Sequence, residues 1–443
     1  MWKRWTFAKV FLIALVGFNL NMRPIPSGDT APTALLPVAI VLDGRVTLER
    51  FEPFYERQFP GQAYWLHRAH DRVWSSYPIA PALLVAPLYT PLLAFPGLRT
   101  WDARELILLA RILEKLAASL LAAVSVGLFF LLAREFVRET RAAAFALIFA
   151  FATPMWSIAS QALWQHTPSV LLITLSLYLL ARNHIPGAAI AAALGPAMRP
   201  TDVLFVLASM SVLAMDPKVR WKALLWYGLS TAIIGTAVVG YNLHVFGRPT
   251  GMYAQPFDSP ALQTLAGLLF SPARGLFIYS PVLLFAFARR PQGRIAWISA
   301  IFIVAQLAVY SKWPNWWGGA CWGPRLLTDI VPCLMLLLLP VRVGPAFLAL
   351  TTVSIAMHAI GVFWYPNGRW DSKPIPIDSQ PQRAWDIRDN PVARTLGAGF
   401  NVDGYVHLKE LVEAWLQHRP PRLDDLPIAR SAPTASSRRR LPM

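Results

Sequence analysis

Long apolar runs separated by short basic gaps constrain this chain more than any other feature. Inside lipid an open strand edge leaves backbone N–H and C=O groups without partners, so runs of this kind become helices. With 55% hydrophobic and 15% charged residues and a mean hydropathy of +0.43, the 443-residue chain is too apolar for an ordinary soluble enzyme. The formal net charge of +17 invites a nucleic-acid reading. The cations, however, sit largely in the gaps, where they orient membrane spans, so the expected partner is a lipid bilayer and not nucleic acid. Cys321 and Cys333 give neither a disulfide framework nor a zinc site.

Lys3 and Arg4 precede the first run, 5–21, and no small-residue cleavage pattern follows it, so an anchor helix with a cytoplasmic N-terminus is expected. Residues 22–78 then form a first outer loop. Within it, 33–42 is too short to cross a hydrocarbon core of about 30 Å and reads as a helix lying in the interface, followed by a polar loop over 43–76. The run 79–95 is long enough to cross, but Pro81, Pro87 and Pro91 each remove a helical hydrogen bond that lipid cannot replace. If it does not cross, Arg134, Arg138 and Arg141 fall on the cytoplasmic side, so a re-entrant or interfacial segment is expected.

Spans are expected near 106–133, 142–159, 169–181, a hinged pair 187–198 and 203–215, 224–245, 276–288, 295–310, 326–339 and 347–363, about eleven crossings in all. The fold class is therefore an all-α polytopic membrane protein, with a transmembrane domain over 1–364. Residues 365–443 form a polar, proline-rich outer segment, with a short helix near 408–417 and a disordered tail through 436–440. No internal repeat is visible, which argues against an inverted-repeat transporter. Most spans read as free of ionisable residues, and the polar residues crowd one face.

On this topology several polar stretches converge outside. They are Arg23-Pro24-Ile25-Pro26-Ser27-Gly28-Asp29-Thr30, the Tyr77-Pro78 turn, Gln161-Ala162-Leu163-Trp164-Gln165-His166-Thr167-Pro168, residues 246–275, and Lys312 to Arg325. The last carries Trp313, Trp316, Trp317 and Trp322 among Gly318-Gly319 and Gly323-Pro324 turns. Tryptophans can form an interfacial belt, whereas the glycines and cations favour a loop that approaches a ligand closely. Arg274 and Arg325 offer forked guanidinium groups for bidentate phosphate contact, or for anchoring helix ends to headgroups. Arg111 and Glu114 can pair at i,i+3, and Lys115 can meet a phosphate or snorkel. Asp29 is either a general base or a turn residue that caps the next helix. His166 can orient substrate, bind a metal or make a structural hydrogen bond.

The order of these elements resembles the bacterial integral-membrane glycosyltransferases of the GT-C fold, related to protein mannosyltransferases and the lipid A aminoarabinose transferase. The resemblance covers roughly residues 1–340: one helix, an outer loop with an early acid, an interfacial helix, a Tyr-Pro turn, then short spans. Ser271-Pro272-Ala273-Arg274-Gly275-Leu276, Tyr279-Ser280-Pro281 and Trp322-Gly323-Pro324-Arg325 look like recurrent motifs of that group. Where many members carry a second acid after the first, this chain has Thr30.

The resemblance implies a GT-C-like bundle in the bacterial cytoplasmic membrane. It implies inverting transfer of a sugar from a polyprenyl-phosphate donor to a lipid, glycan or protein acceptor at the outer face. Asp29 then takes the role of catalytic base, with Tyr77, Lys115, His166, Arg274, Lys312 and Arg325 as substrate-binding residues. The resemblance assigns no definite cofactor and leaves a divalent metal open. The competing readings are a lipid or polysaccharide transporter or flippase, and a non-catalytic partner in envelope assembly.

Overall fold

The computed structural model describes residues 4–61, 63–94, 97–252 and 257–417. The expected tail at 436–440 lies outside the described residues. The described chain is predominantly helical. Among the described residues three helices are long and apolar enough to cross a membrane: Ala103–Arg134, Arg220–Phe246 and Pro345–Phe363. Shorter apolar helices include Phe7–Asn19, His166–Ala181, Ile185–Met198 and Arg294–Tyr310.

The Ala103–Arg134 helix is central, packing against Phe7–Asn19, Glu139–Phe151 and His166–Ala181. It starts on a capping box in which Asp102 accepts from Glu105 N and Glu105 reaches back to Asp102 N, satisfying donors that a helix start leaves free. By contrast, only 17% of the most apolar window of Arg220–Phe246 is buried. Leu225, Leu229, Ile233, Val239 and Leu243 are exposed along it. An apolar face of this length is incompatible with water and suits lipid.

Several expected spans are not continuous helices. The 276–288 run breaks into Leu276–Tyr279 and a 3-10 stretch Pro281–Phe287, because Pro281 has no N–H to continue the ladder. The 326–339 run begins as a 3-10 segment, Arg325–Ile330, before the short α-helix Val331–Leu338. The helix over 142–159 stops at Phe151, and a π-helical turn, Met155–Ala159, follows Pro154. The hinged pair is found as expected, with Ile185–Met198 and Val203–Ala214 joined by Pro200–Asp202.

The first loop departs furthest from its sequence reading. Helix Ala31–Asp43 is not a surface helix: ten of its residues are buried. It packs on Ala80–Tyr89 and Ala103–Arg134 inside the protein, since it is apolar on every side and has no polar face to give to water. The expected polar loop 43–76 contains a helix, Glu52–Gln58, and an antiparallel hairpin pairing Leu66–Ala69 with Arg72–Ser75. The fold is therefore all-α apart from this hairpin among the described residues. Ala80–Tyr89 ends after ten residues, about 15 Å at the α-helical rise and far less than a hydrocarbon core.

Residues 365–402 are built into the fold. Trp370 meets the Arg274 and Arg383 guanidiniums, whose carbons lie 5.2 and 4.8 Å from its ring centre. Trp317 donates its indole N–H to Asp378 at 2.7 Å, and Trp385 packs against Trp316.

Candidate active site

The geometry of the site begins with the 3-10 turn Gly28–Thr30, which closes the chain after the first helix. Ser27 N donates to Thr30 Oγ1, and that hydroxyl donates back to Ser27 O. Thr30 also accepts from Arg111 Nη1, which pairs with Glu114 at 2.8 Å, while Glu114 accepts from Leu163 N. The position where a second acid was considered is thus occupied by a hydroxyl that ties the turn to the central helix. Ile25 N donating to Gln161 O fastens the same stretch to the 160–165 loop.

This turn presents Asp29 to three donors. Oδ1 accepts from the Tyr64 hydroxyl at 2.7 Å and the Tyr77 hydroxyl at 2.6 Å, and Oδ2 accepts from Arg325 Nη1 at 2.6 Å. A carboxylate has about four acceptor positions, so one is left for a substrate hydroxyl, beside Arg325. The Asp29 side chain remains 24% exposed, which leaves it reachable. Burial pushes the Asp29 carboxyl up, but the Arg325 charge and the hydrogen bonds of Tyr77, Tyr64 and Arg325 outweigh it and hold the carboxyl below its usual value. The Tyr64 hydroxyl moves the opposite way, raised by burial and by the neighbouring Asp29 charge, and so stays a donor.

Arg325 leaves Gly323-Pro324, where Gly323 has φ +68°, a left-handed conformation that favours glycine. A Cβ there would also collide with the Tyr279 ring. The guanidinium lies over Trp164, 4.5 Å from the ring centre, and its Nε is buried without a hydrogen-bond partner.

Gly28 is needed for a different reason. A Cβ at this position would overlap the Tyr64 hydroxyl. Gly28→Ala is expected to displace Tyr64 and cost about 1.5 kcal/mol or more of hydrogen bonding to the carboxylate, making Asp29 easier to protonate. Carbodiimide labelling of Asp29 across a pH series, read by mass spectrometry, checks this; labelling at the wild-type pH would refute it.

Of the residues expected to bind substrate, Tyr77 and Arg325 meet Asp29, and the others do not. Lys115 spends its three N–H donors on Phe18 O, Ser160 O and Gln161 Oε1, so none is left for a phosphate. It braces chain ends where helices stop. Arg274 is 2% exposed and donates to Trp317 O, Ala273 O, Gly319 O and Asp371, which makes it an internal clamp. His166, also 2% exposed, is held by Asp329 and Arg199. Lys312 is exposed on the loop after Arg294–Tyr310, with no contact to the Asp29 group.

The sequence reading missed Tyr64, Asp202 and Asp329. Tyr64 had no local signal, being one of many aromatic residues in the first loop. The two aspartates did: each is a carboxylate at the edge of or inside an apolar run. Both are buried, and neither oxygen of Asp202 has a geometric hydrogen bond. Buried ionisable side chains in or beside the expected spans include Arg111, Glu114, Lys115, Asp202, Asp329 and His358.

An apolar groove of about 340 Å³ is lined in part by Tyr77, whose hydroxyl donates to Asp29. Its lining brings together Ser76, Tyr77 and Pro78, the exposed Arg220–Phe246 helix with Ile233, Ile234 and Val238, and the helix break at Pro196, Ala197 and Pro200. This volume lies in the range of about 300–1,000 Å³ typical of ligand pockets. Among the described residues, no group of three or more His, Cys, Asp or Glu side chains is arranged to hold a metal ion.

Fold and site together define a helical protein with membrane-length apolar helices, carrying a carboxylate–guanidinium pair whose partner Tyr77 also lines an apolar groove. Comparison with protein-family models, curated proteins and solved structures finds no match.

Proposed function

We propose that this protein is a membrane glycosyltransferase. It moves a sugar, with inversion, from a polyprenyl-phosphate donor to an acceptor hydroxyl at the outer face of the bacterial cytoplasmic membrane, in a bundle of about eleven crossings. The observation that carries the reading is the Asp29–Arg325 pair, joined through Tyr77 to the apolar groove.

Each part has a chemical task. Asp29 takes the proton of the acceptor hydroxyl as the acceptor oxygen bonds to the anomeric carbon. The bond from that carbon to the phosphate oxygen breaks, and the electron pair leaves with the lipid phosphate. Arg325 meets the growing charge with its guanidinium, and such electrostatic help is commonly the largest share of catalysis. The groove holds the donor's hydrocarbon tail. Because the guanidinium is shared, phosphate binding draws Arg325 from Asp29 and makes the carboxylate a stronger base when donor is present.

The test is transfer from radiolabelled polyprenyl-phosphate sugars by the purified protein in lipid. Tyr77→Phe, which keeps the ring but removes a donor to Asp29, is expected to lower transfer by about tenfold, the equivalent of roughly 1.4 kcal/mol. Unaltered transfer in that variant would count against the assignment of the site.

A second reading, transport of a lipid-linked sugar, is favoured by one observation. Arg199, Asp329 and His166 form a buried ionic group at a helix break, the kind of feature that ion-coupled carriers use. Movement of labelled lipid-linked sugar across liposomes with no transfer to any acceptor selects that reading.

A further inference from the structure

Two short stretches of chain face each other behind the Asp29 site. In the first contact Trp164 lies under the Arg325 guanidinium, at 4.5 Å. Two residues further along one stretch and four along the other, His166 Nδ1 meets Asp329 Oδ1 at 2.8 Å. Arg325 and Asp329 belong to the same 3-10 segment, Arg325–Ile330, so the contacts form two rungs of a ladder about 8 Å apart along it.

Arg199 braces the second rung. Its Nε pairs with Asp329 Oδ2 at 2.8 Å, its Nη1 lies 3.3 Å from His166 Nε2, and its Nη2 donates to the Tyr310 hydroxyl. A guanidinium only donates, so His166 Nε2 is the acceptor. The imidazole proton is then on Nδ1 and is donated to Asp329, which makes His166 a neutral bridge inside an Arg–Asp pair. The side chains of Asp329 and His166 are 0% and 2% exposed. A buried ion pair of this kind stabilises little compared with apolar packing, so what it provides is a fixed geometry.

We propose that His166, Asp329 and Arg199 are positioning residues: they fix the Arg325–Ile330 segment so that the Arg325 guanidinium stays against Trp164 and on Asp29. This rests on the reading of Asp29 and Arg325 as the working pair. The ionisable groups around Asp29 are Tyr64 and Tyr77 from the first loop and Cys321 and Arg325 from the tryptophan-rich loop, with Asp378 acting on Tyr64. Arg325 is the cation among them, so its displacement has a definite sign: Asp29 becomes easier to protonate.

The experiment reads Asp29 directly and needs no sugar transfer. The full chain in nanodiscs is treated with a carbodiimide and an amine, which tag protonated carboxyls, across a pH series, and labelling of the Asp29 peptide is quantified by mass spectrometry. Arg325→Gln is expected to raise the labelling midpoint by about 1 pH unit or more. His166→Ala and Asp329→Asn are expected to raise it in the same direction. His166→Asn, whose amide N–H can replace Nδ1–H toward Asp329, is expected to return it toward wild type, and should a variant fail to fold, Arg199→Lys tests the same brace with its charge kept. Midpoints unchanged in folded His166, Asp329 and Arg199 variants, while Arg325→Gln moves, would overturn the positioning role alone. A midpoint that Arg325→Gln does not move would overturn the Asp29–Arg325 pair itself.

Discussion

Asp29→Asn is expected to lower sugar transfer by about 10²–10⁴-fold while leaving donor binding intact, the usual contribution of a positioned general base. The amide keeps the shape of the carboxylate, can still accept from a tyrosine or from Arg325, and cannot take a proton. Transfer and equilibrium binding of a radiolabelled donor, measured on the same preparation, separate the two effects. Loss of both would mean that Asp29 chiefly holds Arg325 in place; loss of neither would remove Asp29 from the chemistry.

The wild-type pH profile carries the same signature. Although burial opposes ionisation, Arg325 and the tyrosyl hydroxyls hold the Asp29 carboxyl below its ordinary value. In the donor-free protein Asp29 is therefore expected to remain ionised down to a pH below about 4, the value of a free aspartate. The sign for stability follows. A depressed folded value means that the Asp29 contribution is fully present above the unfolded value and is lost as pH falls through the folded one.

Asp371→Ala is expected to destabilise the protein by about 3–5 kcal/mol, because it leaves the Arg274 guanidinium buried without its counter-charge. Asp371 is 8% exposed and also accepts from the Tyr365 hydroxyl at 2.8 Å, so two donors are orphaned at once. The remaining Arg274 donors stay on the Trp317, Ala273 and Gly319 carbonyls and cannot follow the charge. Thermal unfolding in detergent, followed by intrinsic fluorescence, measures the loss. A paired replacement, Arg274→Met with Asp371→Leu, is expected to recover a large part of it, since apolar packing commonly substitutes for a buried ion pair at little cost. If the single change has no effect, residues 365–402 are not held by this clamp.

That second prediction removes the partner of Arg274, a residue that the sequence offers as a phosphate ligand or a headgroup anchor. An arginine in Pro272-Ala273-Arg274-Gly275 looks the same in one dimension whether it binds a phosphate or knots the chain. Its fate was decided by Asp371, which is 97 residues away. Lys115 shows the same limit: its acceptors are backbone carbonyls of segments that end near it, and nothing in its local sequence announces them.

Part of the site was nevertheless legible. Asp29, Tyr77 and Arg325 could be singled out because each is a polar side chain next to proline or glycine at the end of an apolar run. Their meeting could not be read, for 48 residues separate Asp29 from Tyr77 and 296 separate it from Arg325. Asp329 lies inside an apolar run, where a carboxylate is expensive unless paired. It was a readable signal, and its partner His166 carried a structural hydrogen bond among its sequence readings.

What the sequence alone determined is the helical class and the position of most breaks. Apolar runs must satisfy their own backbone in lipid, and prolines stop helices wherever they stand; both effects act over a few residues. What the tertiary structure decided is which polar side chains face a ligand and which are consumed as internal partners. Helix Ala31–Asp43 went inside because neighbouring helices offered apolar surface on each of its sides. Lys115, His166 and Arg274 were consumed because a buried donor or charge costs several kcal/mol unless an acceptor meets it, and those acceptors come from distant segments. Local chemistry sets the supply of charges, and packing decides which of them remain free to act.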